Sequence, residues 1–284
     1  MRFRALAGGV APGVSVWFTV ALATLGALGG SVLNVVIHRG PVVWGLTDAP
    51  PTHDGRYDLS WPRSHCPACA RTLAPWELVP TASWVALRGR CRTCGARISP
   101  RYPGVEAAGL ALGILAALVY PGAAALPALL FLLLVLGAAM VDAETGYLPD
   151  ALTGAALWTA LLASAAGLST PPAAAIIGAA AGYLSFRAIG DGYASLRGRD
   201  GLGRGDAKLL AAGGAWLGPL ALPLVVFAAA VAGLAFALAT GRRDAAAEVR
   251  FGPFLGAGIG LAALTTAALP DTLSGRVVPA WSFG

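Results

Sequence analysis

The chain has 284 residues, of which 57% are hydrophobic and 12% are charged, whereas a typical soluble domain carries about 25% charged residues. This composition excludes an ordinary soluble protein and indicates a membrane protein surrounded by lipid. The formal net charge is +6, but the basic residues are spread over separate loops. We therefore interpret them as signals of membrane orientation and expect no nucleic-acid partner.

Apolar runs rich in Ala, Leu and Gly recur along the chain, and roughly 20 such residues cross a bilayer as a helix. They predict an all-α, polytopic integral membrane protein with about eight transmembrane helices. The predicted spans are 13–37, 104–120, 123–141, 151–169, 172–190, 206–219, 221–240 and 253–270. Eight crossings place most Lys and Arg residues on one side, which the positive-inside rule assigns to the cytoplasm.

The first apolar run follows Arg2 and Arg4 and stays apolar as far as Ile37. A secretory signal has a shorter apolar region of about 7–15 residues. We therefore predict that residues 1–37 form a retained transmembrane segment.

Residues 38–103 form a polar region, predicted to be a cytoplasmic loop domain between the first two helices. It contains two Cys-x-x-Cys pairs, Cys66/Cys69 and Cys91/Cys94. Four thiolates in this pattern suit a closed, tetrahedral structural zinc site, and the reducing cytoplasm disfavours disulfides. Four unliganded thiols, or two redox pairs, are the alternative.

The three histidines show no metal-binding spacing of their own. No His-Glu-x-x-His segment is present, so the sequence gives no sign of a metalloprotease. We interpret His38, His53 and His65 as interface or loop residues.

Residues 104–284 form the predicted transmembrane catalytic domain, in which Asp142 and Asp206 each stand where an apolar run meets a polar break. A carboxylate at a membrane boundary is costly unless it is paired or functional. Two predicted crossings separate these residues, so both lie on the same side of the membrane. Gly146 and Pro149 should end the helix after Asp142 and leave its carboxylate accessible.

Helix capping is the competing interpretation of both aspartates. In that interpretation Asp206 caps a helix that begins at Ala207, and Asp142 marks the end of a span. Glu144 and Asp150 are rival carboxylates in the same loop as Asp142, and we rank both below it.

Lys208 follows Asp206 closely in the sequence. It either balances the charge of the two aspartates or extends towards the membrane interface. We favour the second interpretation, because long basic side chains commonly reach the interface in this way.

Further blocks surround the two aspartates, in a fixed order along the chain. They are residues 30–39, 64–69, 80–84, 88–95, 101–106 and 251–255. Together with Asp142-x5-Leu148-Pro149-Asp150 and Gly203-x-Gly205-Asp206-x-Lys208, they resemble the type IV prepilin peptidases, a family of intramembrane aspartic proteases. Residues 80–84 and 38–60 depart from the family pattern.

The resemblance implies that Asp142 and Asp206 are the catalytic pair. The implied activity is removal of the basic leader from prepilin or pseudopilin precursors, at the cytoplasmic face of the bacterial inner membrane. It also implies N-methylation of the new N-terminus with S-adenosylmethionine, in the region 38–103.

The residues that bind S-adenosylmethionine are not identified by any pattern, since no glycine-rich Rossmann fingerprint occurs in the loop. Asn34, His38 and Glu77 are candidates. We favour a structural interpretation of each, namely a capping Asn, an interfacial His and a solvated Glu.

Three alternatives to the bifunctional enzyme follow from the same features. One is a peptidase without methyltransferase activity, and another is a non-catalytic scaffold whose zinc loop binds pilus or secretion partners. A transporter would place its carboxylates near the bilayer midplane, so the span-end positions of Asp142 and Asp206 disfavour it.

Overall fold

The computed structural model describes residues 15–48, 56–198, 202–240 and 250–268. Within these ranges the regular elements are helical, which confirms the all-α prediction. The helices are α1 Val16–Val43, α2 Ala82–Ala86, α3 Arg101–Val119, α4 Ala125–Thr145, α5 Asp150–Ala165, α6 Pro172–Arg197, α7 Arg204–Leu217, α8 Leu222–Ala239 and α9 Gly252–Ala268. Arg2, Arg4, His53 and the end of the last predicted span lie outside the described residues.

Five of the helical segments are long and apolar enough to cross a membrane. They are Val16–Val43, Arg101–Val119, Gly122–Thr145, Pro172–Arg197 and Pro219–Ala239. Helices α5, α7 and α9 have 16, 14 and 17 residues and are shorter than the roughly 20 residues of a full crossing. The chain is therefore a multi-pass membrane protein, while eight complete crossings remain a prediction.

Two helices continue beyond their predicted ends. Helix α1 extends past 37 to Val43, with Pro41 inside its last turns. Helix α6 extends past 190 to Arg197, and an ion pair of 2.8 Å joins Arg187 to Asp191 one turn later. Apolar runs mark only the part of a helix that lies in lipid. Polar extensions of the same helix are therefore not recognised from hydropathy.

Small residues allow helix backbones to touch in two places. A Cβ on Gly26 of α1 would lie 2.1 Å from the Gly109 carbonyl oxygen of α3. A Cβ on Gly178 of α6 would lie 2.1 Å from the Gly214 carbonyl oxygen of α7. Small residues at membrane helix interfaces permit such close packing. Helix α7 is consequently held against α6 at a fixed position.

A buried polar network joins several helices around Trp216. Its ring stacks on Phe131 with centroids 4.6 Å apart, and its indole N–H donates to the Tyr120 hydroxyl at 3.1 Å. Tyr120 donates to the Ala263 carbonyl at 2.8 Å, and Thr170 donates to the Trp216 carbonyl at 2.5 Å. The network fixes α4, α7 and α9 relative to one another, at the opposite end of α7 from Asp206.

Candidate active site and metal centre

Asp142 lies inside the last turn of α4 and is 6% exposed. The helix ends at Thr145, and Gly146 adopts the left-handed conformation with φ 73°. The Gly146 N–H donates to the Asp142 carbonyl at 2.8 Å, so the backbone of Asp142 closes the helix while its side chain takes no part in capping. The predicted stop at Gly146 is correct.

Asp206 lies in the first turn of α7 and is 8% exposed. The helix begins at Arg204, with Gly203 at the capping position and no capping hydrogen bond from a side chain. The proposed cap of a helix beginning at Ala207 is therefore wrong, since the helix starts earlier and Asp206 is already inside it.

The fold brings the two carboxylates within electrostatic range of each other. Helices α5 and α9 each pack against both α4 and α7, which positions the end of α4 beside the start of α7. Gly205 is pressed against Leu148, where an added Cβ would lie 2.5 Å from the Leu148 Cβ. The short connection after α4 therefore touches the segment that carries Asp206.

A backbone segment before α9 forms the wall behind Asp142. A Cβ on Gly252 would lie 2.6 Å from Asp142 Oδ2, so only glycine leaves room for the carboxylate. Nearby, the Arg250 guanidinium donates to the Ala143 carbonyl. The sequence motifs indicate no role for either residue, although residues 251–255 belong to one of the family-like blocks.

The two aspartates differ from the neighbouring acidic residues in their ion-pair and hydrogen-bond partners. Glu144 pairs with Arg101, and Asp150 pairs with Lys208 at 2.5 Å. By contrast, Asp142 Oδ2 and Asp206 Oδ1 are buried and accept no hydrogen bond from the described residues. Buried polar atoms usually have hydrogen-bond partners. Water or a substrate bound at these oxygens would supply them.

Lys208 pairs with Asp150 rather than with Asp142 or Asp206, and its predicted extension towards the membrane interface stays a prediction. The side chain is partly exposed at this ion pair. The amine therefore joins the start of α7 to the start of α5, beside the aspartates.

The four cysteines come together as predicted. Their sulfur atoms all lie within 4.8 Å of one another, with Cys66 Sγ 3.8 Å from Cys94 Sγ and Cys69 Sγ 4.0 Å from Cys91 Sγ. Four thiolates around a tetrahedral zinc, with Zn–S bonds of about 2.3 Å, require separations of about 3.8 Å. The cluster thus has the donor atoms and spacing of a metal site, and its cysteines form no disulfide.

Matching turns hold the first cysteine of each pair. Ala70 donates its N–H to the Cys66 carbonyl at 2.9 Å, and Gly95 donates to the Cys91 carbonyl at 3.0 Å. Backbone N–H groups, foremost that of Cys69, lower the pKa of Cys66. Those of Cys94 and Thr93 lower the pKa of Cys91 to about 6. These turns favour the thiolate form, which is the form that binds metal.

A cavity of about 790 Å³ lies between the end of α1, the cysteine-containing loop and the start of α3. Asn34, His38 and Glu77 all line it. The structural interpretation of two of them is wrong. Asn34 caps no helix but donates through Nδ2 to the Tyr102 carbonyl at 3.0 Å. Glu77 is not solvated, because its side chain is 3% exposed and pairs with Arg71 at 2.7 Å.

The two regions meet at one end of the molecule. Arg101 at the start of α3, beside the cavity, pairs with Glu144 near the end of α4. The loop domain is therefore attached directly to the helix that carries Asp142.

Comparison with known proteins gives matches over most of the chain. Residues 24–120 match the bacterial peptidase A24 N-terminal domain, and residues 128–238 match the type IV leader peptidase family. No solved structure matches the chain.

Curated relatives agree with the family models. A protein of Burkholderia pseudomallei strain K96243 is 47% identical over 251 residues, which cover 82% of this chain and 81% of the relative. A protein of Dickeya chrysanthemi is 42% identical, with coverages of 84% and 89%, and one of Neisseria gonorrhoeae is 38% identical, with coverages of 84% and 87%. All three are named prepilin leader peptidase/N-methyltransferase. The chain therefore belongs to the type IV leader peptidase family.

Proposed function

We propose that the chain is a membrane-embedded aspartic endopeptidase that removes the basic leader from type IV prepilin-like precursors. The observation that carries this proposal is the pair Asp142 and Asp206, buried at adjoining helix ends, each with one oxygen that has no partner among the described residues. The neighbouring carboxylates Glu144 and Asp150 are occupied by ion pairs, so they are poor candidates for the reaction.

In the proposed reaction the two carboxylates share one proton, because two neighbouring carboxylates cannot readily ionise together. The ionised member removes a proton from water, which adds to the carbonyl carbon of the scissile peptide. The protonated member donates to the carbonyl oxygen. Collapse of the tetrahedral intermediate then breaks the C–N bond. The carboxyl group that took its proton from water gives it to the leaving amine, and the other carboxylate takes back the hydroxyl proton as the carbonyl re-forms.

The cytoplasmic orientation of this site is part of the proposal. Cys66, Cys69, Cys91 and Cys94 lie on the same end of the molecule as the aspartates, through the contact between Arg101 and Glu144. Reduced thiols and the basic loops both favour the cytoplasm. Precursors would then meet the enzyme before their mature part leaves the membrane.

The four cysteines would hold a structural zinc ion that stabilises residues 38–103. A closed site with four thiolates leaves no open position for water. The metal would therefore supply folding stability to a loop with few buried side chains of its own.

The cavity beside this cluster would hold S-adenosylmethionine, which supplies the methyl group for the new N-terminal amine. Its volume of about 790 Å³ is within the range of ligand pockets. The names of the relatives support methyl transfer in addition to cleavage. A bifunctional enzyme accounts for the cavity, whereas a peptidase alone or a scaffold gives it no role.

Mass spectrometry of a processed substrate tests both activities together. A prepilin-like precursor is co-expressed with the chain in cells that lack their own leader peptidase, and its N-terminus is sequenced. The expected product lacks the basic leader and carries one methyl group on its new amine. An intact precursor would contradict the peptidase, and a cleaved but unmethylated product would reduce the proposal to a peptidase alone.

A further inference from the structure

Arg39 is a buried cation in the wall of the cavity. It lies near the end of α1 and is 7% exposed. Its Nη1 donates to the Asp58 carbonyl at 3.2 Å and to the Leu59 carbonyl at 3.5 Å. The guanidinium also lies 5.8 Å from the centre of the Tyr57 ring.

No carboxylate neutralises this charge in the part of the chain that the structure describes. Glu77, which also lines the cavity, accepts from Arg71 and from the Ala74 N–H. Glu106 accepts the Thr81 N–H at 2.6 Å. Both acidic residues of the cavity wall therefore have hydrogen-bond partners other than Arg39.

A buried charge without a counter-ion is costly, and arginine stays protonated in proteins. Two backbone carbonyls on a single nitrogen offset only part of the lost hydration. The remaining N–H groups of the planar guanidinium suit a carboxylate, which they can bind with two parallel hydrogen bonds. An anionic ligand in the cavity would complete this environment.

We propose that Arg39 binds a carboxylate in this cavity, and that the carboxylate belongs to the amino-acid end of the methyl donor. This inference rests on the proposed methyl transfer. The donor carries one carboxylate. When this carboxylate is bound at Arg39, the amino-acid part of the donor lies beside the end of α1. An acidic side chain of the processed peptide has the same chemistry and is the competing source.

Binding measurements with two nucleosides test this assignment without turnover. The full chain, purified in lipid nanodiscs with its metal retained, is dialysed against labelled S-adenosylhomocysteine or 5′-methylthioadenosine. The first has the carboxylate and the second lacks the amino-acid end. For Arg39→Gln we expect S-adenosylhomocysteine to bind about 10- to 100-fold more weakly, the effect of losing a charged hydrogen-bonded pair. The affinity for 5′-methylthioadenosine should change less than about threefold, because this nucleoside has no carboxylate that could pair with Arg39.

Two further variants control for structural effects. Arg39→Lys keeps the charge but loses the planar fork, so it should give an intermediate affinity for S-adenosylhomocysteine. Arg63→Gln removes the same charge from an exposed loop residue outside the cavity wall. It should leave both affinities as in the original protein.

Several outcomes would overturn the proposal. Equal weakening of both nucleosides by Arg39→Gln would show a structural role, and no weakening of either would remove Arg39 from the site. A processed peptide with an acidic residue near its N-terminus is measured in the same way, and if Arg39→Gln weakened only this peptide, the carboxylate would belong to the peptide. If the unsubstituted chain bound neither nucleoside, methyl transfer in this cavity would fail first, and with it the role of Arg39.

Discussion

At the residue scale, the aspartates differ from other acidic residues by what surrounds them. Asp142 and Asp206 have buried oxygens without partners among the described residues, while Glu144 and Asp150 form ion pairs. The sequence motifs rank Asp142 and Asp206 above Glu144 and Asp150, and this ranking stays a prediction. The motifs leave capping open for Asp206, because the start of α7 at Arg204 depends on packing that no local pattern indicates.

Replacing Gly252 tests whether the free space beside the Asp142 carboxylate is needed for cleavage. In Gly252→Ala, the new Cβ would lie 2.6 Å from Asp142 Oδ2 and displace the carboxylate. A shift of about 1 Å in a catalytic group can lower a rate by up to about 100-fold, so we expect leader cleavage to fall roughly 10- to 100-fold. The cleavage rate is measured with purified precursor.

Gly154→Ala is the matched control for this change. Gly154 lies in α5, and an added Cβ there meets nothing within 4 Å. Equal cleavage rates in the two alanine variants would refute the close contact between Gly252 and Asp142.

At the element scale, the position of Asp206 depends on the contact between α6 and α7. Helix α7 has 14 residues, which rise about 21 Å, less than the roughly 30 Å of a hydrocarbon core. It is therefore held by its neighbours rather than by its own length. The predicted span 206–219 is equally short, but the glycine contact that fixes the helix could not be predicted, since residues 178 and 214 are far apart in the chain.

Gly178→Ala should separate these helices. Its Cβ would lie 2.1 Å from the Gly214 carbonyl oxygen, and overpacking of this kind costs about 1–3 kcal/mol. We expect a lower unfolding temperature in detergent and slower leader cleavage, because α7 carries Asp206.

Gly192→Ala is the control in the same helix, at a position where an added methyl group meets no neighbouring atom. An added Cβ at residue 192 meets nothing within 4 Å, so stability should be equal or slightly higher, as alanine favours helix over glycine. If Gly178→Ala were as stable as Gly192→Ala, the backbone contact between α6 and α7 would be wrong.

At the scale of the whole molecule, the two candidate sites lie at one end of a helical bundle. The cysteine cluster and the cavity belong to α1, the loop and α3, and the aspartates belong to α4 and α7. The ion pair between Arg101 and Glu144 joins the two parts. The sequence predicted the cysteines from their spacing and the aspartates from their positions at the ends of apolar runs. The cavity arises from tertiary packing between distant segments, so its wall could not be predicted.

Metal analysis tests the loop as a separate unit. The purified chain should contain about one zinc ion, as expected for a site with four thiolates. Cys91→Ser removes one ligand and should lower the zinc content to well below half, with methylation falling more than cleavage, because the cavity adjoins the cluster.

Thr93→Ser serves as the control for the metal experiment. Thr93 lies between Cys91 and Cys94 and is exposed, and its side chain contributes no ligand. It should retain the zinc of the unsubstituted chain. A fully folded, methylating protein without zinc would rule out the structural role of the metal.

The most direct test of the catalytic pair compares four single substitutions in one cleavage assay. Asp142→Asn and Asp206→Asn should each lower leader removal at least about 1,000-fold, as loss of an essential catalytic group does. Glu144→Gln and Asp150→Asn, which replace the paired carboxylates, should retain activity within about tenfold, since each loses one partly exposed ion pair. Substantial cleavage by either Asp142→Asn or Asp206→Asn would contradict the proposed catalytic pair.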